Sequence, residues 1–229
     1  MNAILLAAGF GTRLRPITDT IPKCLVPIKG KPLIHLWLEK LTSANIESIL
    51  INTHYLSEQV EIFIKNSPFK NQSIVVFEPQ LLGTAGTLLK NLDFFEGKDG
   101  MLIHADNYCL ADLGMFINAH KNRPPGCLMT MMIFKSHNPS ACGIVELDEH
   151  GVVVGFHEKI SNPPGNLANG AVYILSSEMI SILRTDFATR TDFSTEILGS
   201  FMGRVYTYLT EDLFIDIGTL ENYSRVNGS

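Results

Sequence analysis

A glycine-rich turn with basic residues follows the first hydrophobic run of the chain. Residues 9–15 read GFGTRLR, and Lys23 comes ten positions after Arg13. Glycines let backbone N–H groups approach phosphate oxygens without interference from a Cβ atom. Arg13, Arg15 and Lys23 add positive charge to the same short segment. This combination predicts a phosphate site, whereas an ordinary strand-to-helix turn would explain the glycines but not the cations.

Two common nucleotide motifs do not fit this turn. A dinucleotide fingerprint needs a glycine at position 14 and an acidic residue near the end of the second strand. The chain has Leu14 and Asn52 at those positions. A Walker A loop needs Gly-Lys-Ser or Gly-Lys-Thr, but Gly11 is followed by Thr12 and Arg13. The turn therefore belongs to neither motif.

Two aspartates end strand-like patterns that lie far apart in the chain. Asp106 follows one apolar run and Asp216 ends another. Each is a candidate ligand-binding residue, because parallel sheets bind ligands beyond the carboxyl ends of their strands. For either aspartate alone, a helix cap is the alternative interpretation.

The first half of the chain alternates between strand and helix patterns. The predicted strands cover residues 2–8, 47–53, 73–77 and 100–105, and the predicted helices cover residues 32–44, 57–65 (with Ser57 as a cap) and 84–92. This rhythm predicts an α/β fold with a doubly wound, mostly parallel sheet. Such sheets bind ligands beyond the carboxyl ends of their strands.

The pattern changes after residue 125. Short strands are predicted at residues 127–134, 143–147, 152–157, 171–175, 205–209 and 213–216, followed by a short closing helix. They predict a small antiparallel β element added to the main sheet. With no linker or repeat in the sequence, we expect one domain over residues 1–229, with halves at about 1–125 and 126–229.

Composition excludes several classes of protein. Hydrophobic residues make up 45% and charged residues 18% of the 229, which excludes wholesale disorder. A net charge of −5 gives no electrostatic footprint for nucleic acid or an anionic membrane. No apolar run approaches the roughly 20 residues that a bilayer requires. We expect a cytoplasmic protein, a monomer or a small homo-oligomer, that binds neither nucleic acid nor membranes, with four free cysteines.

Several ordered motifs resemble those of the sugar-1-phosphate nucleotidylyltransferases, the NDP-sugar pyrophosphorylases. They are residues 6–15 with Lys23, Glu78-Pro79 with residues 82–86, Asp106-Asn107, residues 142–146, Glu158-Lys159, Asn169-Gly170 and residues 216–219. The resemblance covers almost the whole chain and is strongest to short, single-domain mannose-1-phosphate and heptose-1-phosphate guanylyltransferases. Ala8, Cys24 and Ala105 depart from the family pattern without removing a charged group.

The resemblance implies a Rossmann-like, GT-A-like nucleotidyltransferase fold and a Mg²⁺-dependent reaction. A sugar 1-phosphate would be joined to the α-phosphate of a nucleoside triphosphate, with release of pyrophosphate. The first half would bind the nucleotide and the second the sugar. The implied catalytic residues are Arg13, Lys23, Asp106 and Asp216, the two aspartates also being the metal ligands. The implied nucleotide-binding residues are Leu6, Ala8, Gly9, Gly11, Thr12, Glu78, Gly83 and Thr84. The implied sugar-phosphate residues are Asn107, Gly143, Glu158, Lys159 and Asn169.

The residue at position 78 bears on the choice of base. Thymidylyl members of the family usually have a glutamine where this chain has Glu78. A carboxylate can accept hydrogen bonds from guanine N1–H and N2–H₂ but has no donor for a pyrimidine or adenine acceptor. GTP with mannose 1-phosphate or a heptose 1-phosphate is therefore favoured. The alternatives are a UTP- or dTTP-dependent enzyme that uses an amino-sugar 1-phosphate or glucose 1-phosphate, and a nucleotide-sugar-binding protein without catalytic activity.

Overall fold

The structure, a computed structural model, describes residues 1–228. The chain forms two compact units. The first contains residues 1–81, 103–110 and the segment from 213 onward, and the second contains residues 82–102 and 111–212. Within residues 1–228, no helix combines the length and apolar character needed to cross a bilayer.

The helices and strands alternate along the chain. The strands of the described residues are β1 (Asn2–Leu6), β2 (Pro27–Ile28), β3 (Lys31–Pro32), β4 (Ile49–Thr53), β5 (Ser73–Phe77), β6 (Gly100–His104), β7 (Asn107–Cys109), β8 (Met129–Lys135), β9 (Gly143–Leu147), β10 (Val153–Glu158), β11 (Leu167–Leu175), β12 (Val205–Leu209) and β13 (Phe214–Asp216). The α-helices of the same residues are α1 (Leu33–Ser43), α2 (Ser57–Lys65), α3 (Gly83–Lys90), α4 (Leu113–Lys121), α5 (Ser177–Asp186), α6 (Phe193–Glu196) and α7 (Leu220–Asn227).

Parallel strands form the centre of the first unit. β4 pairs in parallel with β1 on one side and with β5 on the other, and the end of β6 follows on the far side of β1. All residues of β4 are buried, as is most of β1, which is why both read as continuous apolar runs. The predicted α/β fold with a mostly parallel sheet is confirmed.

The first unit also contains a separate two-stranded antiparallel sheet. In it β7 pairs with β13, with Asp216 opposite Asn107. The indole Nε1 of Trp37, on α1, donates a 2.8 Å hydrogen bond to the backbone oxygen of Asn107. A buried apolar cluster lies under this sheet and includes Leu14, Tyr108, Ile215, Ile217, Val26, Ile28, Leu33 and Val226. The two-stranded sheet is therefore fixed to the core of its unit.

Antiparallel pairing dominates the second unit. β9 pairs antiparallel with β10 and with β11, and β8 pairs antiparallel with β11 and parallel with β12. The register of β11 against β8 shifts between Asn169 and Tyr173, and Ala171 within this bulge has a left-handed φ of 53°. This unit contains the small antiparallel element that the sequence predicted.

The structure differs from the predicted elements in a few places. Helices α4 and α5 fall between the predicted strands, and their N-termini are capped by the side chains of Asp112 and Ser176. The cap predicted at Ser57 is wrong: α2 begins at Ser57 itself, after Leu56 in a left-handed conformation, and no side chain caps it. β11 begins at Leu167 rather than 171, because its first residues pair with β8 despite the bulge.

The contact between Trp37 and β7 leads to a stability prediction. The variant Trp37→Phe keeps an aromatic ring but removes the donor to a buried backbone oxygen, so we expect it to lower the free energy of unfolding by about 1–3 kcal/mol. Urea denaturation followed by far-UV circular dichroism measures this change. A change below about 0.5 kcal/mol would show that the hydrogen bond contributes little to holding β7.

Candidate active site

Two cations and two carboxylates meet in the first unit. Lys23 Nζ donates a 2.7 Å hydrogen bond to Asp106 Oδ2 and lies 3.5 Å from Asp216 Oδ1. Arg13 Nη2 lies 3.7 Å from Asp216 Oδ2. The Lys23 side chain is 11% exposed, whereas that of Arg13 is 67% exposed. The four predicted catalytic residues thus form one cluster, with a sequestered lysine and an arginine open to solvent.

The two aspartates meet because of strand pairing. Asp106 precedes β7, and Asp216 is the last residue of β13, paired with Asn107. The N–H of Ile217 donates to the backbone oxygen of Asp106, and the side chain of Asn222 donates to that of Asp216. The carboxylates are therefore brought together by a local antiparallel pair rather than by neighbouring parallel strands.

The turn after β1 places the two cations. Gly11 has a left-handed φ of 65°, and a Cβ atom there would lie 2.9 Å from Thr18 Cγ2 and 3.1 Å from the Cβ of Lys23. The Thr18 hydroxyl donates to the backbone oxygen of Gly11. Arg13 then lies on a 3₁₀ turn, Thr12–Leu14, anchored by the buried Leu14. Gly11 is required here for its conformation and for the close approach of Lys23.

Gly218 is a site residue that the sequence analysis did not single out. A Cβ atom at this position would lie 2.8 Å from Arg13 Nη2 and 2.8 Å from Asp216 Oδ2. The absent side chain leaves room for the arginine to approach the carboxylate. The only sequence signal was its membership of the 216–219 motif, because a steric requirement of this kind depends on two residues brought together by the fold.

The pKa values of the two aspartates are shifted in opposite directions. Burial opposes ionisation of Asp106, but the charges of Lys23 and His104 and the Lys23 hydrogen bond outweigh it, so the pKa of Asp106 is lowered. For Asp216, burial and the negative charge of Asp106 raise the pKa, and Lys23 and Arg13 offset this only in part. An additional cation beside Asp216 would therefore be favourable.

The donor set fits a divalent cation. Asp216 Oδ1 is buried, and among the described residues its polar neighbour is the Lys23 ammonium 3.5 Å away, beyond a good hydrogen bond, so it can accept a further ligand. Hard cations such as Mg²⁺ prefer oxygen ligands and commonly combine one or two carboxylates with substrate phosphates. Residues 1–228 contain no group of three or more metal-ligating side chains. Asp106 and Asp216 could thus hold a cation only in combination with other ligands, such as phosphate oxygens or water.

The other predicted nucleotide-binding residues of the first unit surround the same turn. Leu6 ends β1, Ala8 is buried, and Gly9 and Thr12 are exposed. A Cβ atom at Gly9 would meet nothing within 4 Å, so the backbone there is open to a ligand.

Glu78, the predicted base-reading residue, is only 1% exposed. Its Oε1 accepts a 3.0 Å hydrogen bond from Nδ2 of Asn52, a residue that the nucleotide-site prediction omitted. Glu78 can therefore present little of its carboxylate directly to a ligand.

Gly83 and Thr84 lie in the second unit, where they contact another segment of that unit. Gly83 has a left-handed φ of 77°, and a Cβ atom there would collide with the backbone oxygen of Thr191. The Thr84 hydroxyl accepts a 2.8 Å hydrogen bond from the N–H of Phe193. These contacts give both residues a structural role at the start of α3.

Four of the five predicted sugar-phosphate residues also lie in the second unit. Glu158 pairs with Gly143, where a Cβ atom would lie only 2.6 Å from Glu158 Oε2. Lys159 has a left-handed φ of 51°, and its Nζ lies 3.0 Å from Glu158 Oε1. Asn169 donates to the hydroxyl of buried Tyr173 and accepts from the N–H of Ala171, so its side chain is held at the bulge.

Asn107, the fifth residue, is in the first unit. It lies on β7, opposite Asp216, and its side chain donates to the backbone oxygen of His104 over 3.4 Å. The structure thus places Asn107 with the carboxylate cluster.

Comparison with known proteins identifies the family. The nucleotidyl transferase family model matches residues 2–229, and the chain belongs to this family. It is 29% identical to D-glycero-alpha-D-manno-heptose 1-phosphate guanylyltransferase of Campylobacter jejuni, over 97% of each chain. It is 27% identical to mannose-1-phosphate guanylyltransferase of Mycobacterium tuberculosis, over 98% of this chain and 63% of that protein.

A solved structure is similar to this chain over nearly the whole length of both proteins. HddC from Yersinia pseudotuberculosis, in complex with GMP-PN, superposes with a TM-score of 0.82 and 26% identity, covering 99% of this chain and 98% of that one. The chain spans about 62–63% of the length of some of the relatives it matches.

The close packing around Gly218 leads to a prediction. Gly218→Ala places a methyl group between Arg13 and Asp216, so we expect nucleotidyl transfer to fall about 100-fold through misplacement of these groups. The melting temperature should change little, because Gly218 has no left-handed φ that alanine would strain.

The matched control is Gly199→Ala. A Cβ atom at Gly199 meets nothing within 4 Å, so this variant should keep the wild-type rate. Equal rates for the two alanine variants would show that the space at Gly218 is not needed by the site.

Proposed function

We propose that this protein transfers a nucleotidyl group from a nucleoside triphosphate to a sugar 1-phosphate and releases pyrophosphate. The observation that carries the proposal is the convergence of Lys23 and Arg13 on Asp106 and Asp216. Cations that can hold phosphates and carboxylates that can hold a divalent cation are both needed when two polyanions react.

The reaction needs positioning and charge rather than a protein nucleophile. A phosphate oxygen of the sugar 1-phosphate forms a bond to the α-phosphorus of the triphosphate. The bond from that phosphorus to the oxygen bridging to the β-phosphate breaks, and pyrophosphate leaves with the electron pair. The attacking oxygen is already ionised, so no general base is required, and holding the reactants in line can supply much of the rate.

Lys23 and Arg13 would exchange partners when the nucleotide binds. Arg13, the exposed cation, is suited to bidentate contact with the triphosphate and the leaving pyrophosphate. Lys23 carries a point charge on a sequestered side chain, which suits stabilisation of the α-phosphate and the leaving oxygen. Their present partners are carboxylates, which a metal ion would then neutralise.

We assign Mg²⁺ to Asp106 and Asp216. The support is the chemistry of the two carboxylates and the buried Oδ1 of Asp216, which Lys23 Nζ approaches only to 3.5 Å. When bound, a divalent cation draws negative charge from the phosphate oxygens and so lowers the repulsion between the reactants.

The second unit would supply the sugar-phosphate contacts. Lys159 can pair with the phosphate, and Glu158 can accept hydrogen bonds from sugar hydroxyls, since the two side chains already lie together at the end of β10. Asn169 is held rigidly by two hydrogen bonds, which suits a residue that must recognise one arrangement of hydroxyls.

We propose GTP as the nucleotide and mannose 1-phosphate or a heptose 1-phosphate as the acceptor. The guanylyltransferase relatives and the carboxylate at position 78 support this choice. Because Glu78 is buried, any contact with guanine N–H groups would be made along one edge of its carboxylate. A UTP- or dTTP-dependent reaction is the alternative within the class. A pure nucleotide-sugar binder is less well supported, because binding alone has little use for both carboxylates and both cations.

Pyrophosphate release is the first measurement for this proposal. Four nucleoside triphosphates are combined with several sugar 1-phosphates in the presence of Mg²⁺. Turnover with GTP and a mannose or heptose phosphate is expected. Turnover with UTP or dTTP alone would overturn the base assignment, and nucleotide binding without any turnover would favour the binding protein.

The metal assignment predicts the behaviour of Asp216→Ala. This variant should lose Mg²⁺-dependent turnover by at least about 100-fold while remaining folded by circular dichroism, because the cation loses a ligand. Electron paramagnetic resonance of Mn²⁺ in the presence of nucleotide should show weaker metal binding. Asp186→Ala, at the exposed end of α5, is the matched control. Unchanged turnover in Asp216→Ala would sink the metal assignment.

The base assignment predicts the behaviour of Glu78→Gln. Replacing one carboxylate oxygen by an NH₂ group removes an acceptor for guanine, so the ratio of kcat/KM for GTP to that for UTP should fall about tenfold. Parallel kinetics with the two nucleotides measure this ratio. If the preference for GTP survives intact, Glu78 does not select the base.

A further inference from the structure

We propose that Asn52 is a positioning residue of the nucleotide site, which locks the backbone at Ala7 and the carboxylate of Glu78 into one buried hydrogen-bond network. The inference rests on the proposed function, because it concerns the site that binds the nucleotide. Position 52 is where a dinucleotide fingerprint would need an acidic residue. In the structure the asparagine side chain at this position instead bonds to Ala7 and Glu78.

The network joins Ala7, Asn52 and Glu78, which lie in three parts of the first unit. The N–H of Ala7 donates a 2.8 Å hydrogen bond to Asn52 Oδ1. Asn52 Nδ2 donates a 3.0 Å hydrogen bond to Glu78 Oε1. Asn52 and Glu78 are 3% and 1% exposed. A single side-chain amide thus joins the segment that leads into the glycine-rich turn to the residue after β5.

Strand order explains why position 52 can make this connection. β4 lies between β1 and β5, and Asn52 is paired with Leu6 at the carboxyl end of β1. Ala7 follows Leu6, and Glu78 follows the last residue of β5. A side chain at the end of the middle strand can therefore reach the residues that leave both of its neighbours.

The backbone of Glu78 is held independently of its carboxylate. Its N–H donates to the backbone oxygen of Thr53 over 2.8 Å, and its own backbone oxygen lies 2.7 Å from Nδ1 of His54. Asn52 acts instead on the side chain of this residue, through its hydrogen bond to Oε1. A buried carboxylate is also costly without hydrogen-bond donors, and Asn52 supplies one.

The two partners determine which end of the Asn52 amide faces which residue. A backbone N–H can only donate, so the atom that faces Ala7 must be the oxygen of Asn52. The NH₂ group is then directed at Glu78, which accepts. An aspartate at position 52 would keep the acceptor for Ala7 but would place a second carboxylate against Glu78. A glutamine at position 78 could in turn donate to that aspartate.

The experiment reverses the donor and the acceptor between positions 52 and 78. Asn52→Asp, Glu78→Gln and the double variant Asn52→Asp with Glu78→Gln are compared with the wild type. Pyrophosphate release gives kcat, KM for the nucleotide and KM for the sugar 1-phosphate, using whichever nucleotide and sugar phosphate the wild-type protein turns over. Titration calorimetry gives the affinity for that nucleotide, or for GTP if there is no turnover.

We expect Asn52→Asp to raise the nucleotide KM and Kd at least tenfold, with less than a twofold change in the KM for the sugar 1-phosphate. The double variant should recover to within about threefold of Glu78→Gln alone, because the reversed donor and acceptor restore the network. A residue with a merely structural role would lower the melting temperature without this selective effect on the nucleotide and without rescue.

The matched control is Asn2→Asp, the same substitution at a buried residue at the other end of β1. It should leave the nucleotide KM unchanged. The inference is overturned if Asn52→Asp leaves nucleotide binding at the wild-type level, or if Glu78→Gln fails to rescue it. Wild-type protein that binds nucleotide without turnover refutes the proposed function alone, since affinities still test Asn52. Wild-type protein that binds no nucleotide refutes both.

Discussion

The contact of Lys23 with Asp106 and Asp216 is the interaction on which the rest of the site depends. A lysine that is only 11% exposed is stable there because two carboxylates face it, and two close carboxylates are tolerated because two cations oppose them. The charge of the two carboxylates thus offsets that of the two cations, and the reverse. In the proposed reaction the same two cations, one sequestered and one open to solvent, would exchange their carboxylate partners for phosphate oxygens.

This balance depends on small residues and on one local strand pair. Gly11 and Gly218 leave space into which Lys23, Arg13 and Asp216 fit, and a Cβ atom at either glycine would displace them. The antiparallel pairing of β7 with β13 joins the two aspartates, and Trp37 ties β7 to α1. The four charged side chains therefore lie on short turns and on one strand pair, which buried residues and backbone hydrogen bonds hold to the core of the unit.

Much of the fold was predictable because buried parallel strands read as apolar runs and their helices have a 3.6-residue period. The boundaries of β5, β9 and α2 agree with the predicted ones. Helices α4 and α5 were missed although each begins after a side-chain cap, Asp112 and Ser176, because only strands were sought in those parts of the chain. The network around Asn52 could not be predicted, because an asparagine at a strand end has the same sequence signature whether it faces solvent or bridges two neighbours.

The sequence by itself determined which charged groups are available and in what order: Arg13 on a glycine-rich turn, Lys23 ten residues later, and two distant aspartates at the ends of apolar runs. It also determined the alternation of strands and helices and, through the whole-chain match, the family. Only the tertiary structure decided that Lys23 reaches both aspartates, that Gly218 lies against Arg13 and Asp216, and that Glu78 is buried against Asn52. The physical reason is that periodicity and residue type are local properties. Distances between residues far apart in the chain arise only when strands pair and the core packs.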